Sequence, residues 1–428
     1  METGIQPVRE LLLGSFQAAL AAADPLQIVG KHLPPPPRGR TLVIGAGKAA
    51  ASMAVAVETH WPPGAPLEGV VITRYGHGLP TQRIRVVEAG HPVPDEQGES
   101  AAREILAAAR ALGPDDLLLA LVSGGGSSLL SLPCEGIAMA DLKAVTRELL
   151  ASGAPIQDMN TVRKHLSQIQ GGRLAAATRA KVVALVISDV TGDDPTHIAS
   201  GPCVADPTTY RDAQDILARY GVKLPASIAS HLQKGMEGEI AETPKPGDAS
   251  LARAENHVIA TAHAALASAT AFVQHRGITP MVLGDSVTGE SSEVAKVYAA
   301  LARQLRQYSH PFRPPVALIS GGETTVTLRG KGRGGRCTEF LLSLAIALEG
   351  LASTWALACD TDGIDGSEDN AGAILAPDSL ARAAALGLSP KALLADNDGY
   401  GFFHALGDLV VTGPTRTNVN DYRIIVVR

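Results

Sequence analysis

The chain has 428 residues, of which 45% are hydrophobic and 19% charged, and its formal net charge is −6. This length exceeds what a single hydrophobic core usually organises, so two domains are expected. The negative charge and the aromatic content of only 4% argue against a nucleic-acid-binding protein, which needs a basic face and stacking rings.

The cysteines and the N-terminal segment indicate the compartment. The four cysteines are widely spaced and form no C-x-x-C pair, which favours reduced thiols over a zinc site or a disulfide framework. Charged residues interrupt the apolar patches of the N-terminal segment, unlike in a signal peptide. No apolar run approaches the ~18 residues that span a bilayer. We therefore expect a soluble, cytoplasmic protein with no membrane partner and no nucleic-acid partner.

Short runs rich in Val, Ile and Leu alternate with longer Ala-rich segments of helical period. This alternation is typical of parallel α/β layers. In the first half of the chain, strands are predicted at residues 41–45, 70–73, 84–87, 117–122 and 182–187.

Residues 234–254 mix charges with Gly and Pro and show little periodicity, as expected of a domain boundary. We therefore predict an N-terminal domain of residues 1–240 and a C-terminal domain of residues 250–428. Strands beyond the boundary are predicted at residues 257–260, 280–283, 316–319, 324–328, 355–358 and 424–427.

Two glycine-rich loops follow predicted strands. Ligands of open α/β sheets bind beyond the carboxyl ends of the strands, so these loops are candidate binding sites. The first loop is GAGK, residues 45–48, and the second is SGGGSS, residues 123–128. Glycines let the backbone approach a ligand, while hydroxyl and N–H groups can bind phosphate or carboxylate oxygens. For each loop alone, an ordinary glycine turn is the alternative.

The first loop resembles the G-x-G-x-x-G/A turn of dinucleotide-binding domains, with Ala50 at its third position. Such a domain needs an acidic residue at the end of the second strand, whereas the strand at residues 70–73 is followed by Arg74. Lys48 also has no role beside a pyrophosphate that backbone amides hold. NAD is therefore disfavoured, and NADP stays open because Arg74 could contact a 2′-phosphate.

Acidic residues follow the strand at residues 182–187 in ISDVTGDDPTHIASGP, which contains Asp189, Asp193 and Asp194. Clustered carboxylates need solvation, capping or a cation. We predict a metal-binding or general-base role for at least one of them. The later segment CDTDGIDGSEDNAGA is either a second place for Mg²⁺ or a hydroxyl group, or a surface turn.

Two further segments are basic. Lys331, Arg333 and Arg336 lie in a glycine-rich stretch that runs into a predicted helix. This stretch is either an anion clamp at the helix N-terminus or a solvated basic hairpin. The segment DMNTVRKHLSQIQGGRLA, which contains Arg163 and Lys164, is either a charged solvent-exposed face or a second anion-binding surface.

Phosphoryl transfer would use these residues together, because it needs cations around the migrating group, Mg²⁺ held by carboxylates and a positioned acceptor hydroxyl. Lys48 and Arg336 can supply positive charge, and Asp189 or Asp193 a carboxylate. The chain contains neither a P-loop motif nor the protein-kinase motif set.

Eight ordered segments resemble the class II glycerate 2-kinases, a family whose members have often been named hydroxypyruvate reductases. The segments are VIGAGKAAASMA, GHPVPDEQGES, LVSGGGSSLL, DMNTVRKHLSQIQGGRLA, ISDVTGDDPTHIASGP, SGGETTVTLRGKGRGGR, DTDGIDGSEDNAGA and TGPTRTNVNDYRI. The resemblance implies two Rossmann-like α/β domains with mostly parallel sheets, the second of MOFRL type, and an active site in the cleft between them. It also implies phosphorylation of D-glycerate to 2-phosphoglycerate with ATP and Mg²⁺. A homodimer is compatible with it.

The resemblance also implies roles for individual residues. Lys48 and Arg336 would face the reacting phosphate and the glycerate carboxylate, and Asp189 would be the metal-binding or basic carboxylate. The residues expected to bind substrate or nucleotide are Gly45, Gly47, Ser123, Gly124, Gly125, Gly126, Ser127, Ser128, Asp193, Glu323 and Lys164.

Two features of the resemblance leave alternatives open. Asn418, Asn420 and Asp421 of the closing segment would either line the cleft or stabilise a domain. Many members have Asn-Gln-Glu after the arginine, where this chain has Cys337-Thr338-Glu339, so contacts of those two amides are not expected here. The rival activities are an NAD(P)H-dependent hydroxypyruvate reductase and a non-catalytic binder of small phosphorylated acids.

Overall fold

The computed structural model describes residues 5–428 of the chain. The strands are β1 (Thr41–Ala46), β2 (Leu67–Arg74), β3 (Ile84–Ala89), β4 (Leu117–Val122), β5 (Lys181–Ile187), β6 (Ala254–Ala260), β7 (Thr279–Gly284), β8 (Val316–Ser320), β9 (Thr354–Asp360), β10 (Gly372–Leu375), β11 (Leu409–Val410) and β12 (Asp421–Val427).

Helices connect most of these strands. They are α1 (Ile5–Ala21), α2 (Pro25–Ile28), α3 (Ala50–His60), α4 (Glu96–Arg110), α5 (Gly126–Leu129), α6 (Met139–Ala151), α7 (Ile156–His165), α8 (Arg173–Ala176), α9 (Tyr210–Arg219), α10 (Ala226–Met236), α11 (Ala262–Gln274), α12 (Ser291–Tyr308), α13 (Arg336–Leu348), α14 (Ser379–Ala385), α15 (Pro390–Ala395) and α16 (Gly399–Leu406). Short 3₁₀ turns lie at Val29–His32, Ile198–Ser200 and Ala249–Leu251.

The chain divides into two compact units. The first unit is Pro25–Ile259, and the second consists of the segment that ends at Asp24 together with Ala260–Arg428. This differs from the predicted domains of residues 1–240 and 250–428 in two places. Helix α1 belongs with the C-terminal half of the chain, and β6, which was predicted to lie beyond the boundary, completes the sheet of the first unit.

Contacts distant in sequence explain the placement of α1. The ring of Phe16 stacks on that of Tyr422 with a centroid separation of 5.9 Å. The hydroxyl of Thr417 donates a hydrogen bond of 2.7 Å to the carbonyl of Ala23 across 394 residues of sequence. Periodicity predicts that α1 is an amphipathic helix but does not identify the partner that buries its apolar face.

The first sheet has the strand order β3-β2-β1-β4-β5-β6, and its pairings from β3 to β5 are all parallel. Every residue of β1 and β4 is buried, as their continuous apolar runs predict. The strand order reverses between β1 and β4. The loops that follow these two strands therefore lie at the switch point of the sheet, where ligands of open α/β folds bind.

The second sheet has the order β11-β10-β9-β12-β8-β7. Only its β7–β8 pairing is parallel, and the other four pairings are antiparallel. The α/β class is confirmed, but the prediction of mostly parallel strands is wrong for this unit. The central strands are buried on both faces, so their apolar runs carry no information on direction. The segment predicted as a strand at residues 324–328 contains only an isolated bridge, between Thr325 and Glu290.

Helix α13 lies in the core of the second unit. The apolar stripe predicted for it, Leu341, Leu344, Ala345 and Leu348, is buried. Truncating Leu341, which is fully buried, to Ala would cost roughly 2–5 kcal/mol. Within the described residues no single helix is long and apolar enough to cross a membrane, although the bent pair Pro7–Ala21 and Pro25–His32 passes that test jointly.

Candidate functional site

The turn after β1 is fastened to the loop after β4. We call residues 45–48 the lysine turn and residues 123–128 the serine–glycine loop. The Lys48 N–H donates to the carbonyl of Gly124 at 2.8 Å, and the Ala49 N–H donates to Ser123 Oγ at 3.1 Å. The two loops therefore form one structure at the switch point of the first sheet.

Close approach between these loops explains the two glycines of the lysine turn. A Cβ on Gly47, which has φ +138°, would lie 2.1 Å from Ser123 Oγ and 2.5 Å from its carbonyl oxygen. A Cβ on Gly45 would lie 2.5 Å from the carbonyl oxygen of Leu121. The glycines are thus required by the neighbouring strand and loop. The amides of Lys48 and Ala49, which a dinucleotide pyrophosphate would need, bind protein oxygens instead.

Three side chains suited to chemistry surround Gly124 and Gly125. A Cβ on Gly124 would lie 1.8 Å from Asp189 Oδ2, so this carboxylate lies directly against the loop backbone. A Cβ on Gly125 would lie 2.9 Å from His91 Nε2 and 3.6 Å from Lys48 Cγ. The predicted residues Lys48 and Asp189 are therefore placed beside the same loop.

Sequence reasoning missed His91. The residue follows β3, whose carboxyl end lies at the same edge of the sheet as those of β1 and β4. Its segment, GHPVPDEQGES, contributed only to the family resemblance. A histidine directly after a predicted parallel strand could have identified it.

The hydroxyl groups of the serine–glycine loop have different surroundings. Ser123 is fully buried, and its hydroxyl fixes the lysine turn; its predicted contact with substrate stays a prediction. Ser127 Oγ lies 2.9 Å from Ser200 Oγ, and the Ser128 hydroxyl donates to the carbonyl of Gly125 at 3.2 Å. A Cβ on Gly126 would lie 2.5 Å from that of Ala199, so this glycine serves packing.

The acidic residues of the loop after β5 have different roles. Asp194 Oδ1 accepts from the Thr196 N–H at 2.9 Å. Burial alone would raise the pKa of Asp194, but its hydrogen bonds with Thr196 lower it below its ordinary value. Asp194 therefore stabilises a turn. Asp193 is half-buried with φ +54°, and its predicted ligand contact stays a prediction. Asp189 is the carboxylate of this loop that lies against Gly124.

Lys164 lies in the interior of the first unit. Its side chain is 1% exposed, and its Nζ lies 3.2 Å from Oδ1 of the buried Asp206. The neighbouring His165 is also fully buried, with Nε2 3.3 Å from Glu242 Oε2. The charged solvent-exposed face considered for this segment is therefore wrong for these two residues. The Lys164 ammonium is buried against a carboxylate, and its predicted role in binding substrate stays a prediction.

Arg336 is held by three carboxylates, and we call it with Glu323, Asp360 and Asp421 the Arg336 cluster. Its Nε donates to Asp421 and its Nη2 to Asp360, both at 2.7 Å, and its Nη1 donates to Glu323. Burial alone would lower the pKa of Arg336, but the three carboxylates raise it well above its ordinary value. The cluster thus carries one positive and three negative charges. Its arginine is compensated within the protein, and Glu323, a predicted ligand contact, is one of its partners.

The N-terminus of α13 is occupied by an internal anion. Asp365 Oδ1 accepts from the Cys337 N–H at 2.9 Å, and Oδ2 accepts from the Thr338 N–H at 2.8 Å and from its hydroxyl at 2.7 Å. A carboxylate at this position caps the helix and complements its dipole. Asp365 therefore occupies the first amides of this helix, and Thr338 has a capping role in this chain. The predicted anion binding by the basic stretch before the helix stays a prediction.

The closing segment stabilises the second unit. The Thr361 hydroxyl donates to the carbonyl of Asn420 at 2.6 Å, and Asp421 pairs with Arg336 and with Arg423. Of the alternatives for Asn420 and Asp421, the described contacts favour domain stabilisation.

Within residues 5–428, no group of three His, Cys, Asp or Glu side chains is arranged to hold a metal ion. Mg²⁺ commonly binds through one or two protein carboxylates, with substrate phosphates and water as the other ligands. Asp189 beside the serine–glycine loop fits that kind of donor set.

Comparisons with known proteins find similar sequences and a similar structure over nearly the whole chain. The sequence matches a domain of unknown function, DUF4147, over residues 11–233 and the MOFRL family over residues 316–421. It is 38% identical to a glycerate 2-kinase of Pyrococcus horikoshii, covering 98% of this chain and 97% of the relative. It is 53% identical to an Agrobacterium vitis protein provisionally named hydroxypyruvate reductase, covering 98% and 94%.

The crystal structure of a glycerate kinase from Thermotoga maritima superposes with a TM-score of 0.88 at 37% identity, covering 99% of this chain and all of that one. Both matched domains and these full-length similarities show that the chain belongs to the class II glycerate kinase family.

Proposed function

We propose that the protein is a glycerate 2-kinase, which transfers the γ-phosphoryl group of ATP to the 2-hydroxyl of D-glycerate in the presence of Mg²⁺. The single observation that carries the proposal is the grouping of Lys48, Asp189 and His91 around Gly124 and Gly125 at the switch point of a parallel sheet. The names of the Pyrococcus and Thermotoga relatives support the same activity.

Lys48 is the cation of the proposed reaction. Phosphoryl transfer is accelerated chiefly by positioning and by fixed positive charge near the equatorial phosphate oxygens. The lysine turn is fixed by hydrogen bonds to the serine–glycine loop, so little reorganisation is needed when the phosphate arrives. His91, whose Nε2 also lies beside Gly125, would donate a hydrogen bond to the same group.

Asp189 is the carboxylate of the proposed reaction. It orients the acceptor hydroxyl and accepts its proton while the new O–P bond forms and the bond between the γ-phosphorus and the ADP oxygen breaks. Asp189 is also the residue that would hold Mg²⁺, which when bound neutralises charge on the phosphate oxygens. The catalytic role of Arg336, the site between the domains, the cytoplasmic location and the homodimer stay predictions.

An NAD(P)H-dependent hydroxypyruvate reductase is the second candidate. It is favoured by the strand order of the first sheet, which is that of dinucleotide-binding domains, and by the name of the Agrobacterium relative. Two features of the lysine turn argue against it. Both glycines pack against the neighbouring strand and loop, and two amides donate to protein oxygens, so neither pair is left for a pyrophosphate.

One pair of assays tests the proposal. Purified protein is given D-glycerate and Mg·ATP and followed for ADP, and it is separately given hydroxypyruvate with NADH or NADPH and followed for nicotinamide oxidation. We expect ADP release that requires D-glycerate and disappears with EDTA. Coupling to enolase alone identifies 2-phosphoglycerate as the product. Nicotinamide oxidation without ADP release would contradict the proposal.

A further inference from the structure

A small pocket lies beside the serine–glycine loop within the first unit, and Pro94 and Leu142 form part of its lining. Arg163, in the last turn of α7, lines it together with hydroxyl-bearing side chains. These side chains are Ser127, Ser128, Ser131, Thr146 and Ser167. We call this group the Arg163 pocket.

Arg163 has no carboxylate counter-ion within the described part of the chain. Its guanidinium donates to Asn160 Oδ1 at 3.1 Å, which is a neutral acceptor and uses one of five N–H donors. Burial lowers the pKa of Arg163 to about 10, and no neighbouring carboxylate opposes this effect. Arg163 is half-buried. A partly desolvated cation that lacks a carboxylate partner is suited to an anion that binds from outside.

Two neighbouring cations, the buried Lys164 and the half-buried Arg173, are satisfied by the protein. Lys164 pairs with Asp206, and Arg173 donates to the carbonyls of Lys164 and Ser167 and to the Tyr210 hydroxyl. The position of Arg163 at the C-terminal end of α7 is favourable for a cation, but a helix dipole does not replace a counter-ion.

A chain of polar groups joins the Arg163 pocket to the candidate site. Asn160 Oδ1, which accepts from Arg163, lies 3.1 Å from Ser200 Oγ, and Ser200 Oγ lies 2.9 Å from Ser127 Oγ. Ser127 and Ser128 line the pocket and are separated from Gly124 and Gly125 only by Gly126. An anion in the pocket would therefore lie at the same loop as Lys48 and Asp189.

We propose that the Arg163 pocket binds the carboxylate of the acceptor hydroxy acid, so that Arg163 is a specificity-determining residue. This inference rests on the proposed function. The planar guanidinium matches the two oxygens of a carboxylate, and the hydroxyls can donate further hydrogen bonds. The pocket has room for about one water-sized group. It can therefore take one oxygen of a carboxylate and excludes an adenine ring.

Binding without nucleotide tests the inference directly. Calorimetric titrations use D-glycerate, glycerol and inorganic phosphate on the wild type, Arg163→Gln, Arg163→Lys and Arg147→Gln. Glycerol is the matched ligand, because it keeps three carbons and their hydroxyls but has no carboxylate. Arg147→Gln is the matched variant, because Arg147 is exposed on the adjacent helix α6 and its replacement removes the same charge.

We expect D-glycerate to bind the wild type and Arg147→Gln equally, and glycerol to bind neither. Arg163→Gln should weaken D-glycerate binding by at least about 10-fold, as the loss of a charged hydrogen bond does, and Arg163→Lys should lie between. Equal affinity of Arg163→Gln and wild type would overturn the inference. Arg163-dependent binding of phosphate without binding of D-glycerate would also overturn it, and would assign the pocket to a phosphate group.

Kinetics separate a binding role from a structural one. Arg163→Gln should raise KM for D-glycerate by about 10- to 100-fold, with KM for ATP changed less than about twofold. Equal increases in both KM values would contradict the inference. If Arg163→Gln does not fold, Arg163→Lys supplies the same comparison. The protein could bind D-glycerate through Arg163 and yet release no ADP. This result would contradict the proposed function but would support the assignment of the pocket.

Discussion

Arg163 and Arg336 are both largely enclosed by protein, yet their neighbours differ. Arg336 donates to three carboxylates, whereas the described contact of Arg163 is with a neutral amide oxygen in a pocket lined by hydroxyls. The glycine-rich, basic sequence around Arg336 favoured it as the anion-binding arginine. The comparison teaches that the groups around a buried guanidinium, more than the local sequence, decide whether it can take an anionic ligand.

Two lysines of the first unit differ in burial and in position. Lys164 is enclosed with Asp206, while Lys48 is half-buried beside Gly125 at the edge of the sheet. Burial in the interior favours a structural role for Lys164, and its place in the turn makes Lys48 a candidate for catalysis.

The largest expected effect tests the Arg336 cluster. Arg336→Ala should lower the free energy of unfolding by about 3–5 kcal/mol, because it removes the Arg336 cation from the buried carboxylates of Asp360 and Asp421. Urea unfolding measures the change. Glu323→Gln is the control, since the Glu323 side chain is 51% exposed and its ion pair should contribute less than about 1 kcal/mol. Unchanged stability of Arg336→Ala would refute the structural role assigned to this arginine.

The next prediction separates the two lysines by activity. Lys48→Ala should reduce kcat by about 100-fold or more, because a preorganised charge at the phosphate is lost. Its urea midpoint should change less than that of Lys164→Ala, which removes the ammonium group from the buried Asp206 carboxylate. Steady-state kinetics and urea unfolding of both variants provide the comparison. Near-normal turnover of Lys48→Ala would remove Lys48 from the proposed mechanism.

A third prediction tests how the lysine turn is fixed. Gly47→Ala should lower the free energy of unfolding by roughly 1–3 kcal/mol, because the new Cβ would meet Ser123. Gly64→Ala is a matched control, since Gly64 also has positive φ but has no atom near its Cβ position. Activity and urea unfolding of both variants measure the difference. Equal losses in the two variants would show that backbone strain alone, without the contact to Ser123, accounts for the effect.

The smallest expected effect is on the pH dependence of stability. It contrasts Glu242, which lies beside His165, with Asp365, which caps α13. Burial alone would raise the pKa of Glu242, but its bonds to His165, the Tyr210 amide and Lys245 lower it to about 2. A carboxyl group whose pKa is lower in the folded state stabilises the fold above its ordinary pKa of 4.5. This contribution is lost as the pH falls from there towards 2.

For Asp365 the effect of falling pH on stability has the opposite sign. Burial raises its pKa above the ordinary value, so its protonation favours the folded state as the pH falls. The test compares the urea midpoint at about pH 6 with that at about pH 3.5. The difference between the two midpoints should be smaller in Glu242→Gln than in the wild type, because the variant lacks the Glu242 carboxyl group. An identical pH dependence in the two proteins would show that Glu242 does not contribute.

Some elements could be predicted from sequence because their cause is local. The continuous apolar runs of β1, β4 and β5 predict buried strands, and the spacing of apolar residues predicts the buried stripe of α13. The loops after β1, β4 and β5 were predicted as binding loops because parallel strands end at one edge of a sheet. The short strands β10 and β11 have 4 and 2 residues, too few for a periodic pattern.

The sequence by itself determined the α/β class, the candidate loops and the presence of Lys48 and Asp189 at the carboxyl edge of the first sheet. Only the tertiary structure decided strand direction in the second sheet, the attachment of α1 and the environment of each charge. The reason is physical: the behaviour of a buried ion depends on the groups that replace water around it. For Arg336 the partner Asp421 lies 85 residues away in sequence, beyond the reach of any local pattern.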